Sequence, residues 1–166
     1  MRLFQQTGNT PKLKSVKTLA AILHKEKKSG KKIVFTNGCF DLLHAGHVRY
    51  LKEAKAVGDV LVVGLNRDAS VRRLKGRGRP VTPEKERAEI LSALASVDYL
   101  TFFSDETPLR LIKILRPDFL VKGGDWKKRG IVGGSFVESY GGQVRSLSYA
   151  KNRSTTRLLK KIKRLG

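Results

Sequence analysis

Two of the protein's three histidines, His44 and His47, are three positions apart in a stretch that also holds two glycines. A short run of β-branched and aromatic residues precedes the stretch, and the chain turns helical from Ala45, which predicts the pair at the start of a helix. Free backbone N–H groups and the helix dipole favour anions there, and two imidazoles near one face can donate hydrogen bonds to phosphate oxygens. Gly38 and Gly46 leave room for a ligand to come close to the backbone. These residues therefore predict a phosphate-binding site.

A packed or metal-binding histidine pair is the alternative interpretation of this stretch. Two histidines alone make a poor zinc site, because zinc in proteins takes three or four protein ligands. The protein has one cysteine, Cys39, which excludes an internal disulfide and a thiolate metal cluster. We therefore expect no metal held by the protein alone.

The elements that must position the histidines alternate between strands and helices. Apolar runs predict strands over 33–36, 60–65, 97–103, 119–121 and 143–147. Amphipathic spacing and start signals predict helices over 45–57, 82–95 and 108–115. They also predict a first helix that ends near Gly30, a helix end over 136–140 and a basic last helix over 154–165. This alternation predicts an α/β fold, a single doubly wound Rossmann-like domain with a mostly parallel sheet. Such sheets bind ligands beyond the carboxyl ends of their strands.

Length and composition fit a cytosolic globular protein. The 166 residues are 40% hydrophobic and 30% charged, which is too apolar for a disordered chain. No apolar run approaches the roughly 20 residues that span a bilayer, and the N-terminus lacks the apolar stretch of a signal peptide. We therefore expect one core, a cytoplasmic location and no membrane partner.

The net charge of +21 is concentrated at the two ends of the chain. Residues 1–32 carry nine basic residues and one acid, residues 151–166 carry seven basic residues and no acid, and residues 33–150 carry 19 and 13. Basic ends are compatible with nucleic acid or an anionic surface, but also with a solvated face or with attraction of polyanionic small substrates.

The segment over 37–47 resembles the signature of the cytidylyltransferase-type nucleotidyltransferases, Gly-x-Phe-Asp-x-x-His-x-Gly-His. The likeness covers roughly residues 17–164 and continues through 65–71, 73–76, 79–81, 87, 105–108, 120–125 and 154–156. That fuller string is similar to the heptose-1-phosphate adenylyltransferases, which make ADP-heptose for the lipopolysaccharide inner core from ATP and need Mg²⁺. We therefore expect a basic N-terminal arm and helix over 1–30, followed by a nucleotidyltransferase domain over 31–166 that includes the basic C-terminal helix.

The resemblance also implies roles for individual residues. The catalytic set is His44, His47 and Lys75, with Lys75 reaching the phosphates from the loop after the second strand. Nucleotide binding falls to Thr36, Asn37, Gly38, Cys39, Phe40, Gly46, Arg87, Lys122, Gly123, Gly124, Asp125, Ser154, Thr155 and Thr156. Sugar-phosphate binding is expected of Asn66, Asp68, Lys151 and Arg153. The last two depart from the family, which usually has an acidic residue and a glycine before its Ser-Thr-Thr segment. Mg²⁺ would bridge the substrate phosphates, with no metal site on the protein itself.

Several of these residues have a plainer interpretation. Lys75 can be a solvated loop cation, the segment over 122–125 a tight turn, and the hydroxyls over 154–156 helix caps. Arg87 lies among acids on a helix, so a surface ion pair competes with a nucleotide contact. Asp41 is predicted to organise its loop rather than act as a base, because a carboxylate beside phosphates would repel them. His24 is predicted to be solvated.

The expected reaction joins ATP and a sugar 1-phosphate into a nucleotide sugar and releases pyrophosphate. A stand-alone transferase is expected, because 166 residues leave no room for the sugar-kinase domain to which some relatives are fused. One alternative keeps the fold and uses CTP with glycerol 3-phosphate or another alcohol phosphate. Another is a nucleic-acid-binding protein with a vestigial site, which the intact histidine pair counts against. The sequence leaves the oligomeric state open, with a homodimer among the alternatives.

Overall fold

The computed structural model describes residues 10–124 and 130–147. The predicted basic helix over 154–165 lies outside these residues. So do six of the predicted site residues, namely Asp125, Lys151, Arg153, Ser154, Thr155 and Thr156.

Strands and helices alternate along the described chain, as the sequence predicts. The strands are β1 (Ile33–Gly38), β2 (Val60–Asn66), β3 (Tyr99–Phe103), β4 (Phe119–Gly123) and β5 (Gln143–Leu147). The helices are α1 (Val16–Lys28), α2 (Ala45–Lys55), α3 (Asp68–Lys75), α4 (Glu84–Ala93), α5 (Leu109–Leu115) and α6 (Gly134–Glu138). None of the helices in the described ranges is long and apolar enough to cross a bilayer.

The five strands form one sheet in the order β3-β2-β1-β4-β5, and every pairing is parallel. The chain starts at β1, winds outwards through β2 to β3, and then returns to pair β4 with the other side of β1. This is the doubly wound arrangement, and the point where its winding reverses lies between β1 and β4. The predicted α/β Rossmann-like fold is confirmed, with a sheet that is wholly parallel.

Apolar side chains cover both faces of the sheet, as a parallel sheet requires. One cluster joins α1 and α5 to one face and includes the buried Leu19, Phe35 and Ile112. The other packs α2 and α4 on the opposite face and includes Leu51 and Leu91. The N-terminal helix thus lies on the domain, with its apolar stripe in the same core as the central strand.

A short stretch before α1 pairs with the outer strand of the sheet. Leu13 forms a parallel bridge with Leu100 of β3. Lys14 N donates to Leu100 O at 2.9 Å, and Leu100 N donates to Lys12 O at 2.8 Å. One edge of the sheet is therefore covered by the residues that lead into α1.

The helix α3 is a finding that the sequence did not predict. Lys75 was expected in a loop after the second strand, and residues 68–75 hold three apolar residues, Ala69, Val71 and Leu74, of which Ala69 is exposed. Val71 is fully buried, whereas Leu74 is half exposed. One buried apolar side chain in two turns leaves too little periodicity to predict a helix.

Candidate active site

A cleft of about 700 Å³ opens at the carboxyl edge of the sheet. The last residues of four strands line it, namely Asn37 and Gly38 of β1, Asn66 of β2, Phe103 of β3, and Lys122 and Gly123 of β4. Both strands that flank the reversal of winding contribute to it. This is where ligands bind in open α/β sheets.

The two predicted histidines stack on each other in this cleft. Their ring centroids are 4.0 Å apart and their planes differ by 27°. His44 is the N-cap of α2, and its Nδ1 accepts a hydrogen bond from Gly46 N at 3.1 Å. Because Nδ1 accepts, the neutral imidazole carries its proton on Nε2 and can donate from there. The sequence prediction that one helix turn brings both rings to one site is confirmed.

Burial and the neighbouring histidine both keep His47 neutral. Desolvation, followed by the charge of His44, lowers the pKa of His47 from 6.5 to about 4. The side chain is only 8% exposed. The ring of Phe40 lies on its other side, with centroids 5.4 Å apart. At neutral pH this pair can therefore act as hydrogen-bond donors without the repulsion of two cations.

The low pKa of His47 makes a testable prediction about stability. The unfolded chain protonates this histidine below about pH 6.5, while the folded chain keeps it neutral down to about pH 4. The unfolded state binds more protons in this window, so the free energy of unfolding should fall as the pH drops through it. Urea unfolding of wild type and His47→Gln at pH 7.5 and 5.0 measures the effect. The wild type should lose more stability between the two values than the variant, and equal losses would contradict the prediction.

Two lysines supply positive charge to the cleft. Lys122 is mostly buried, and burial lowers its pKa. Its Nζ lies 3.3 Å from Asn37 Oδ1 and 3.5 Å from Asn37 O. Lys75 is exposed and also lines the cleft, where its charge further lowers the pKa of Lys122. Lys75 is the last residue of α3 rather than part of a loop, so that detail of the prediction is wrong.

The turn after β1 brings backbone close to the cleft. A side chain at Gly38 would place its Cβ 3.0 Å from the ring of Phe40, which has a positive φ of 45°. Cys39 lines the cleft, and its Sγ lies 3.9 Å from Asn66 Oδ1. Burial raises the pKa of this thiol, which keeps it protonated and unsuited to act as a nucleophile.

Arg87 is buried, which excludes the surface ion pair that competed with the predicted nucleotide contact. Its side chain is 0% exposed and donates to Cys39 O at 2.5 Å, Asn66 O at 2.9 Å, Thr82 O at 2.9 Å and Asp68 Oδ1 at 2.7 Å. With these four bonds the guanidinium fastens the ends of β1 and β2 to the start of α4. The geometry therefore makes Arg87 a positioning residue rather than one that touches the nucleotide.

Three other residues that were predicted to bind the substrates use their polar groups within the protein. Thr36 is fully buried, and its hydroxyl shares a 2.6 Å hydrogen bond with Tyr50. Asp68 accepts from Arg87 and lies outside the cleft lining. Gly46 is buried, with its N–H donated to His44, so its expected role in ligand approach is replaced by one in orienting the histidine.

Two further predicted residues, Asn66 and Gly124, lie at the end of β2 and directly after β4. Asn66 lines the cleft at the end of β2, and its Nδ2 donates to Ser70 Oγ at 3.0 Å. Gly124 has a φ of 107°, which glycine alone adopts readily, and donates its N–H to Leu147 O at 2.9 Å. Their contact with a ligand stays a prediction.

Other residues that line the cleft were not predicted to bind a ligand. These are Asp41, Tyr50, Leu74, Arg79, Phe103, Glu106, Thr107, Pro108 and Val132. Arg79 and the segment over 105–108 belong to the stretches that carried the family resemblance. That resemblance could have identified them as residues of the site. His24, by contrast, is exposed on α1, as predicted.

Asp41 organises its surroundings, as predicted. Its Oδ1 accepts from Val81 N at 2.7 Å and Thr82 N at 3.0 Å, and its Oδ2 accepts from Arg79 Nε at 2.5 Å. The carboxylate thereby fixes the connection between α3 and α4 beside the cleft.

The sequence matches a family model and a set of known bacterial proteins. The family model described as cytidylyltransferase-like matches residues 35–139. The bifunctional protein HldE of Geobacter metallireducens is 57% identical over 161 residues, 97% of this chain and 33% of its own length. The protein of that name from Hahella chejuensis is 49% identical over 160 residues, 96% of this chain and 34% of its own length. The chain spans about a third of these relatives.

Solved structures share the fold. The lipopolysaccharide core biosynthesis protein from Thermoplasma volcanium has a TM-score of 0.61 and 28% identity, over 75% of this chain and 100% of that one. Pantoate-beta-alanine ligase from Francisella tularensis has a TM-score of 0.57 over 91% of this chain and 76% of its own, and at 17% identity it supports the fold alone.

The sheet is wholly parallel; the histidine pair follows β1 and Lys122 lies near the end of β4, the two strands between which its winding reverses. The family model covers more than half of the chain, and it spans the histidine pair, both lysines and Arg87. The chain belongs to the cytidylyltransferase-like family.

Proposed function

We propose that the protein transfers AMP from ATP to D-glycero-D-manno-heptose 1-phosphate, giving ADP-heptose and pyrophosphate. The observation that carries the proposal is the cleft, in which neutral donors and lysines converge at the carboxyl edge of the sheet. The identity to HldE proteins and the resemblance to heptose-1-phosphate adenylyltransferases support the choice of substrates. A reaction that consumes ATP to make a lipopolysaccharide precursor also favours the cytoplasm as its location.

The chemistry is a displacement at phosphorus. An oxygen of the sugar phosphate attacks the α-phosphorus of ATP, and the bond from that phosphorus to the oxygen of the β-phosphate breaks. Pyrophosphate leaves with the bonding electrons, so no covalent enzyme intermediate is required. Because both reactants are anions, the protein must orient them and offset the charge that develops on the transferred phosphoryl oxygens.

The described residues suit these tasks. His44 and His47 donate hydrogen bonds to phosphate oxygens, and Lys75 and Lys122 offset their charge. The part of the cleft lined by Phe103, Glu106 and Thr107 is less basic and would receive the uncharged body of the sugar. Carboxylate and hydroxyl groups pair well with sugar hydroxyls, whereas a carboxylate repels phosphate.

Magnesium enters this proposal as part of the nucleotide substrate. The described residues hold no group of three or more His, Cys, Asp or Glu that could bind a metal ion. Both oxygens of Asp41 already accept hydrogen bonds. When bound, Mg²⁺ supplies charge neutralisation to the phosphates, and its ligands would be mainly phosphate oxygens.

The proposal is tested by measuring pyrophosphate release with ATP, CTP, GTP and UTP, each against heptose 1-phosphate, glucose 1-phosphate and glycerol 3-phosphate. We expect release with ATP and heptose 1-phosphate in the presence of Mg²⁺ and none in EDTA. Efficient release with CTP and glycerol 3-phosphate would overturn the choice of substrates. A salt-sensitive shift of DNA or RNA with no release from any pair would favour a nucleic-acid-binding protein instead.

A further inference from the structure

We propose that Arg79 is a further substrate-binding residue and that its guanidinium receives the phosphate of the acceptor. The inference rests on the proposed function in that it places an acceptor phosphate in this cleft. Arg79 lies in the connection between α3 and α4, and it lines the cleft.

Within the described part of the chain, the guanidinium is held along its Nε edge. Arg79 Nε donates to Asp41 Oδ2 at 2.5 Å, and the Asp41 side chain is 1% exposed. Among the residues that the structure describes, no hydrogen bond runs from either terminal nitrogen of Arg79 to a protein acceptor. Arginine can bind phosphate in a bidentate manner through two N–H groups, and the terminal nitrogens provide such a pair.

Further hydrogen bonds hold the second half of the connection, over residues 79–82. Asp41 also accepts hydrogen bonds from Val81 N and Thr82 N, and the fully buried Arg87 donates a hydrogen bond to Thr82 O. Only 17% of the Arg79 side chain is exposed, so it is already largely ordered and desolvated before a ligand arrives. A pre-organised cation loses less conformational entropy on binding than a free surface arginine.

The position of this connection favours the acceptor over the nucleotide. Arg87 joins Thr82 to Asn66 at the end of β2, which places the connection on the β2 side of β1. Lys122 and Gly123 lie at the end of β4, on the opposite side of β1, where the nucleotide is proposed to bind. A phosphate held by Arg79 would therefore approach the α-phosphorus from the β2 side.

The chain offers a matched control two positions away. Arg77 is exposed, lies in the same connection and does not line the cleft. Arg79→Gln removes the guanidinium and its charge, and Arg79→Lys keeps the charge but lacks the two terminal guanidinium nitrogens. Arg77→Gln removes an equal charge from the same connection. Asp41→Asn retains an oxygen for the two backbone N–H groups but presents an amide donor to Arg79 Nε, so it should disorder the guanidinium.

We expect Arg79→Gln to raise the KM for heptose 1-phosphate about tenfold or more while the KM for ATP stays within about threefold. Arg79→Lys should show part of the effect, Asp41→Asn should shift the same KM, and Arg77→Gln should match wild type. Thermal unfolding of each variant checks the fold. A rise confined to the KM for ATP would assign Arg79 to the triphosphate, and unchanged constants would remove it from the site; either overturns the proposal.

The failure of the proposed function can be told apart from the failure of this inference. If the wild-type protein forms no nucleotide sugar from any acceptor, the reaction assigned above is wrong. Binding of inorganic phosphate by calorimetry then decides the role of Arg79. The inference stands if Arg79→Gln weakens phosphate binding and Arg77→Gln does not, and it falls if both variants bind like wild type.

Discussion

Replacing His47 by alanine is expected to lower kcat about 10²- to 10³-fold, as removal of one donor that stabilises developing charge does in other enzymes. The imidazole is buried, stacked on His44 at 4.0 Å between centroids, and neutral at pH 7 because burial lowers its pKa. A donor fixed in this way matters more in the transition state, when charge builds on the phosphoryl oxygens, than in the ground state. Initial rates of pyrophosphate release at saturating substrates measure the effect.

His24→Ala is the matched control, since His24 is an exposed histidine on α1 outside the cleft. Its kcat should equal that of wild type. Circular dichroism and thermal unfolding show whether His47→Ala keeps the fold. A folded His47→Ala protein with an undiminished kcat would remove the histidine from the chemistry.

Replacing Arg87 by methionine is expected to lower the free energy of unfolding by about 3–5 kcal/mol, the usual loss when one partner of a buried charged network is removed. Methionine fills much of the volume but donates no hydrogen bond. Three carbonyl groups, of Cys39, Asn66 and Thr82, lose a partner, and Asp68 loses its counter-charge. Urea unfolding followed by fluorescence of the tyrosines and Trp126 measures the loss.

Arg72→Met provides the comparison, because Arg72 is an exposed arginine on α3. Its stability should stay within about 0.5 kcal/mol of wild type, the usual range for surface substitutions. An Arg87→Met protein that is as stable as Arg72→Met would show that the network contributes nothing net. Activity should fall along with stability in Arg87→Met, because the ends of β1 and β2 both line the cleft.

The parts of the site that were predictable lie close together in the sequence. His44 and His47 lie at the first turn of α2, and β1 ends six residues before His44, so local periodicity placed them at the edge of the sheet. The same reasoning located β2 and β4 because parallel strands, buried on both faces, read as continuous apolar runs. Asp41 was also assigned correctly, from the simple repulsion between a carboxylate and phosphates.

The parts that were not predictable depend on contacts between distant segments. The partners of Arg87 are up to 48 positions away, and a lone arginine among acids gives no sign that three carbonyl groups surround it. Arg79 lies in the cleft bonded to Asp41, 38 positions earlier, and no local pattern predicts that contact. For Thr36 the distant contact removes a predicted role. Its hydroxyl near the end of a strand suggested substrate binding, but the fold pairs it with the hydroxyl of Tyr50.

The pairing of Leu13 with Leu100 has a consequence for association between copies of the chain. An open sheet exposes a row of unsatisfied N–H and C=O groups on its outermost strand, and another molecule can add to that row. Here the residues that lead into α1 occupy both backbone groups of Leu100 on β3. They act as a short extra strand that ends the sheet on that side. A chain shortened past Lys14 would offer β3 as a template for intermolecular strand addition, so its first defect would be aggregation rather than loss of the cleft.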